Sequence, residues 1–219
     1  MDVGANIGYT VNVMAHRLKR GTVHAFESHP AIYKELEANV DLLKSQGSLT
    51  EIHTYPCALG RSTGKLPLHI PADFEKYRGE SSLTKPSHLP VNSQTTLVQV
   101  DTLAGRICGA SDIGVMKIDV EGFELQVLAG GNSLFEGRRI RDCVFEEHGT
   151  YPTSVTEWFV ERGYTVFRID RSFRKPLLLE PRDSKGRTNW TATNYLATSD
   201  WTRAKHLFAK DGWVCLKPR

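Results

Sequence analysis

The chain is poor in the features that mark several common protein classes. Four cysteines stand in 219 residues (Cys57, Cys108, Cys143 and Cys215), and no two of them form a Cys-x-x-Cys pair. That scatter excludes a spaced zinc knuckle and offers no disulfide frame, so the thiols read as reduced and mostly buried. No apolar run approaches the ~20 residues that a bilayer span needs. Charge is nearly balanced, with a formal net of +3. The basic stripe with interleaved aromatics that marks a nucleic-acid binder is missing. The N-terminus has no apolar signal core, because a glycine turn stands in its place, and this reads as a cytoplasmic protein. Only about three residues of a first strand precede that turn, against the ~5–6 of an ordinary strand, so the first strand reads as clipped. No repeat and no Pro/Gly/Ser linker divides the chain. It reads as one domain over residues 1–219 with an inserted segment over residues 60–95.

What is present begins at once. Asp2-Val3-Gly4-Ala5-Asn6-Ile7-Gly8 reads as a buried strand end and a glycine turn, followed by a helical stretch from Tyr9 to Leu18. Thr22–Glu27 is a second short strand ending in an acid. Glycines that let backbone approach a ligand, a helix N-terminus facing it and a strand-end carboxylate for ribose hydroxyls together describe a nucleotide crevice. A helix follows from Pro30, with Ile32, Leu36, Val40 and Leu43 at helical spacing and Gly47 as its stop. Glu51–Leu59 reads as a third strand, so the order β-α-β-α-β predicts a parallel sheet. Beyond Gly60 the pattern loosens. Gly64 between Leu59 and Leu66–Ile70 predicts a hairpin-like excursion, and the Pro- and Ser-rich stretch to Thr95 predicts a long loop suited to a lid over the site, with Tyr77, Arg78, Ser81 and Ser82 in it. Asp101 is placed to cap a short helix. Ile113–Val120 is the clearest buried strand, and Glu121-Gly122-Phe123-Glu124 turns it into a helix. Cys143–Glu147, Tyr164–Ile169, Tyr195–Ala197 and Trp213–Leu216 read as later strands, with helices over Val155–Arg162 and Arg203–Lys210.

The turn is Gly4-x-x-x-Gly8 and lacks the third glycine of a pyrophosphate-binding turn. A cofactor without phosphates fits better. S-adenosylmethionine brings a carboxylate for the turn's N–H groups and ribose hydroxyls for Glu27. Asp119, Glu121 and Glu124 follow the strand at Ile113–Val120, at the carboxyl edge where open α/β sheets bind ligands. Asp119 and Glu121 are candidates to position an acceptor hydroxyl or take its proton, while Glu124 reads as a first-turn acid complementing the helix dipole. His148, with an ordinary pKa near ~6.5, is a second candidate base. A metal held by Asp119, Glu147 and His148 has no spacing rule behind it, so no metal is assigned. The basic run Arg168, Arg171, Arg174, Lys175, Arg182, Lys185 and Arg187 reads as a solvated face, or as a contact for an acidic substrate. Asn189-Trp190-Thr191 matches a glycosylation sequon that has no use without secretion.

Several blocks together resemble one family: Asp2–Gly8, Phe26-Glu27-Ser28-His29-Pro30, Ala58-Leu59-Gly60, Val100-Asp101-Thr102-Leu103 and Lys117–Glu124. They are similar to FkbM-type S-adenosylmethionine-dependent methyltransferases over roughly Asp2 to Phe167. The resemblance implies a class I methyltransferase, Rossmann-like α/β sheet, mostly parallel with its last strand antiparallel. It implies methyl transfer, usually to a hydroxyl oxygen, on a small-molecule acceptor such as a saccharide or a natural product. Carried over by position, Gly4, Ala5, Asn6 and Gly8 line the methionine arm, Glu27 holds the ribose, Ser28 and Ala58 border the adenine, and Asp119 completes the pocket. Members often carry Pro where this chain has Ser28. Two other readings of the residues remain at this point: a nicotinamide-dependent oxidoreductase, and a catalytically silent domain holding an anionic partner.

Overall fold

The computed structural model describes residues 1–219 except Lys19, Leu49, Glu75, Tyr77 and residues 85–92, 108–111, 184–191 and 211–219. Cys108, Cys215, the sequon at 189–191, Lys185, Arg187 and the strand expected at Trp213–Leu216 lie outside the described residues. The chain gathers into two compact units, Met1–Ala110 with Lys117–Ser133, and Ser111–Met116 with Leu134–Arg219.

In the first unit, β1 (Asp2–Val3), α1 (Tyr9–Arg17), β2 (Thr22–Phe26), α2 (Pro30–Ser45) and β3 (Glu51–Tyr55) follow in the expected order. β1 pairs in parallel with β2 and with β7 (Ile113–Ile118), and β2 pairs in parallel with β3. Parallel pairing buries both faces, so the core takes residues from strands and helices alike: Val23, Ala25 and Ile52 pack with Val11, Ala15, Leu36 and Val40. α2 begins where His29 Nδ1 accepts from the Ala31 and Ile32 N–H groups, and Pro30 stands at its first helical position. It stops before Gly47, whose φ of 86° suits a left-handed cap.

The third strand ends earlier than the apolar pattern predicts. β3 stops at Tyr55, and Ala58–Leu59 forms β4 in a different, three-stranded sheet. Pro56 stands between the two, and a proline cannot donate to a ladder. β4 pairs in parallel with β6 (Gln94–Asp101), and β5 (Gly64–Ile70) pairs with β6 antiparallel. β6 therefore lies between β4 and β5, and the hairpin of the inserted segment runs from β5 to β6, with Leu68, Ile70 and Val98 as its own small core. The cap of α3 (Leu103–Arg106) is also one residue away from the expected Asp101: the Thr102 hydroxyl accepts from Gly105 N. Asp101 instead accepts from Arg106 Nε at 2.8 Å. The helical stretch after β7 is two short helices, α4 (Glu124–Gly130) and α5 (Asn132–Glu136).

The second unit carries β8 (Ile140–Glu147), α6 (Ser154–Glu161), β9 (Thr165–Arg171), β10 (Pro176–Leu179), β11 (Thr193–Thr198) and α7 (Trp201–Ala209). β11, the last described strand, pairs antiparallel with β8 on one side and β9 on the other. The fold is α/β with a mostly parallel central sheet and this late antiparallel strand. Phe135, Phe145, Phe159 and Tyr195 are fully buried, and edge-on or stacked ring contacts link them. Arg168 departs from the solvated basic face expected of it: it is buried and pairs with Asp170 at 3.2 Å. Cys57 and Cys143 are free, buried thiols, and burial pushes the Cys57 thiol up to about 12. No helix among the described residues is long and apolar enough to cross a membrane.

Candidate functional site

The first unit contains a cavity of about 420 Å³. That size lies within the ~300–1,000 Å³ range of small-molecule sites. Its floor is the turn from Gly4 to Gly8. Gly4 and Ala5 both donate to the Phe26 carbonyl, at 3.0 and 2.9 Å, which ties the turn to the end of β2. Gly4 has φ +78°, and a Cβ there would stand 1.9 Å from the Asp119 carbonyl oxygen. Only glycine lets the two strand ends close in this way. Asn6 and Glu121 also hold positive φ, 48° and 52°, and both line the cavity. Strained non-glycine residues of this kind concentrate at ligand sites, where the surrounding fold fixes them.

α1 starts at the cavity. Gly8 is its N-cap, and no side chain caps the helix. The first-turn residues Tyr9 and Thr10 line the cavity, so the positive end of the helix faces it and favours an anionic group there. On the other wall, Glu27 is fixed by two backbone N–H groups: Oε2 accepts from Asn6 at 2.9 Å and Oε1 from His29 at 2.7 Å. Burial raises the Glu27 pKa, and these backbone donors oppose the rise. Each oxygen keeps a lone pair beyond the one it uses, so the carboxylate is held in place and can accept two further hydroxyls.

The residues expected from the sequence distribute as follows. Gly4, Ala5, Asn6, Glu27, Ser28, Ala58, Asp119 and Glu121 all line the cavity, while Gly8 caps the helix that starts at it. Glu124 is buried, and its Oε1 accepts from Val120 N at 3.4 Å and Gly122 N at 3.2 Å, bracing the Asp119–Phe123 loop. His148 lies in the second unit and is exposed. No group of three or more His, Cys, Asp or Glu residues among those described is arranged to hold a metal.

The structure gives a place to Lys117, to which the sequence assigned no role, and shows what His29, Arg78 and Ser82 contact. Lys117 lines the cavity and places Nζ 3.0 Å from Asp119 Oδ2 and 3.7 Å from Asp2 Oδ1. A lysine inside the apolar run Ile113–Val120 was the available signal. His29 stacks on Phe74 with centroids 4.4 Å apart, and the Arg78 guanidinium also lies against that ring, 5.5 Å from the Phe74 centroid. Arg78 also donates to Glu35 on α2 at 3.1 Å. Ser82 and Thr84 donate to the carbonyls of Glu121 and Gly122, at 2.6 and 3.0 Å. Arg78, Gly79, Ser81 and Leu83 of the inserted segment line the cavity.

A model of the Methyltransferase FkbM domain matches residues 2–166, which include every cavity residue named above. The chain belongs to this family. It is 28% identical over 145 residues to Methyltransferase 1 of Beauveria bassiana (strain ARSEF 2860), covering 59% of this chain and 57% of that protein. It is 27% identical over 155 residues to Methyltransferase sdnD of Sordaria araneosa, covering 59% of each. It is 31% identical over 175 residues to 31-O-demethyl-FK506 methyltransferase FkbM of Streptomyces tacrolimicus, covering 67% of this chain and 64% of that protein. The FkbM-family chain therefore spans about three fifths of the length of these curated relatives. Among solved structures, Methyltransferase FkbM from Methylobacillus flagellatus KT shares the fold, with a TM-score of 0.56 at 16% identity, over 89% of this chain and 42% of that one.

Proposed function

We propose that the chain is an S-adenosylmethionine-dependent O-methyltransferase whose acceptor is a hydroxyl of a saccharide or a natural product. The observation that carries this reading is the pairing of an uncapped helix N-terminus with a backbone-anchored carboxylate across one cavity. The donor set fits the cofactor's chemistry. The first-turn N–H groups of α1 suit its carboxylate, Glu27 suits the two ribose hydroxyls, and Asp119 suits its ammonium. None of these residues forms the multi-glycine turn that a pyrophosphate needs.

When bound, S-adenosylmethionine supplies a methyl group on a sulfonium, a good leaving group, so the protein's task is alignment and proton removal. Ser28 and Ala58, which line the cavity, would border the adenine. Leu59, Leu68, Leu83 and Phe123 present apolar surface in the cavity, which limits water beside the transferring methyl. We assign the acceptor's proton to Glu121, which lines the cavity two residues beyond Asp119 and leaves Asp119 to the cofactor's ammonium. The inserted segment supplies the acceptor side of the pocket through Arg78, Gly79 and Ser81. The O-methyl assignment draws on the name of the Streptomyces tacrolimicus relative, which specifies a demethylated oxygen.

The test is transfer of labelled methyl from S-adenosylmethionine onto a panel of free sugars, glycosides and macrolide or terpenoid alcohols. The expected result is one class labelled at oxygen, with the label stable to acid. Labelling at nitrogen or carbon only, or of no acceptor by a protein that binds the cofactor, would remove the O-methyl assignment.

A further inference from the structure

Asp2 is fully buried on β1, and neither of its carboxylate oxygens has a hydrogen-bond partner. Buried carboxylates are normally satisfied, so this one calls for an explanation. Its nearest cation is Lys117 Nζ, at 3.7 Å, too long for a hydrogen bond. The strand register explains the proximity, because Asp2 and Lys117 are partners across the β1–β7 ladder. Lys117 instead bonds Asp119 Oδ2 at 3.0 Å, two residues on along its own chain. One lysine thus stands between two carboxylates. The one it bonds is open to the cavity, with 36% of its side-chain surface exposed, whereas the one it leaves unbonded is sealed from it, at 1%. Glu27 and the Met1 amino group are the other charges that act on this cluster.

We propose that Lys117 is an exchangeable counter-ion: it neutralises Asp119 while the cavity is free, and moves to Asp2 when a ligand ammonium takes its place on Asp119. The inference rests on the proposed cofactor, whose amino acid part carries that ammonium. Asp2 is then the place that receives the displaced lysine, which accounts for a buried carboxylate kept without a hydrogen bond. A flexible four-carbon stem with three rotatable donors can make a shift of this size without backbone movement. Charge is conserved at each stage, with one cation on Asp119 in either state and Lys117 paired throughout. Lys117 is a positioning residue in this account and does not touch the reacting atoms.

Four proteins decide it, the wild type, Lys117→Met, Asp2→Asn and the double variant, each titrated calorimetrically with S-adenosylmethionine and with 5′-methylthioadenosine, which lacks the amino acid part. Lys117→Met should bind S-adenosylmethionine more tightly, since no lysine must be displaced. Asp2→Asn should bind it roughly tenfold more weakly, the scale of one partly buried charge pair. In the double variant the Asp2 substitution should have no further effect, and all four proteins should bind 5′-methylthioadenosine alike. An Asp2→Asn loss of equal size with and without Lys117 overturns the exchange, as does unaltered affinity in Lys117→Met. Should Asp2→Asn fail to fold, Lys117→Met against the wild type decides alone. A folded wild type that binds neither ligand overturns the proposed function and the exchange with it, whereas normal wild-type binding with flat variants overturns the exchange only.

Discussion

Replacing Asp2 by asparagine should shift the balance of stability between variant and wild type with pH, in the variant's favour as pH rises. Burial pushes the Asp2 carboxyl up from 3.8 to about 6, against the opposing pull of Lys117 and the chain amino group and with a smaller push from Asp119. The folded state therefore binds a proton more tightly at this site than the unfolded chain does. Between pH 3.8 and 6 the folded state holds more protons, so stability falls as pH rises through that window and stays low above it. A shift of roughly two pKa units corresponds to about 3 kcal/mol in all. About 2 kcal/mol of it falls between pH 4.5 and 7.5. The amide that replaces the carboxyl does not titrate. Constant costs of the substitution, such as burying an amide without partners, cancel when variant and wild type are compared across pH. Urea unfolding of both proteins at intervals from pH 4.5 to 7.5 should show the variant's advantage growing by about 2 kcal/mol with pH, with unchanged m-values. A difference that stays flat across this range would refute the account of Asp2 as a charge held in an unfavourable place. A substitution that relieves this charge cost at neutral pH yet weakens cofactor binding is the trade-off expected of a functional strain.

Three further outcomes follow from the same geometry. Glu27→Gln should weaken S-adenosylmethionine binding by about 2–3 kcal/mol, the scale of charge-assisted hydrogen bonds to a carboxylate, read by calorimetry. Gly4→Ala should unfold or destabilise the protein by at least about 3 kcal/mol in thermal melts, because its Cβ would stand 1.9 Å from the Asp119 carbonyl at a φ of +78°. Glu121→Gln should cut turnover by about 10²–10⁴, the range of general-base contributions, with cofactor binding retained, while His148→Ala, at an exposed position of the second unit, should leave turnover unchanged.

Much of the first unit was legible in the sequence because local rules specify it. The Gly4–Gly8 turn needs left-handed backbone at both glycines, α2 shows its helical period and its stop at Gly47, and Ile113–Ile118 is an apolar run interrupted by Lys117. Each signal is short-range, so tertiary context had little to override. The misreadings occurred where one residue outweighed a pattern. Pro56 splits an apolar stretch into strands of two sheets, and the Thr102 hydroxyl takes the cap that Asp101 gives up to pair with Arg106. The cavity wall contributed by the inserted segment was least legible. Arg78 meets Glu35 forty-three residues away, and Phe74 meets His29 across the fold, and no spacing rule encodes such contacts. Lys117 stood in view as a charge inside an apolar strand with Asp119 two residues on, but its proximity to Asp2 emerges only from the β1–β7 register.

The account depends above all on what enters the cavity between the Gly4–Gly8 turn and Glu27. Titrating the folded chain with S-adenosylmethionine and, in parallel, with NADH measures this directly. The expected result is saturable one-to-one heat with S-adenosylmethionine, abolished or sharply reduced in Glu27→Gln, and none with NADH. Heat with NADH alone, or S-adenosylmethionine affinity that Glu27→Gln leaves intact, would contradict it.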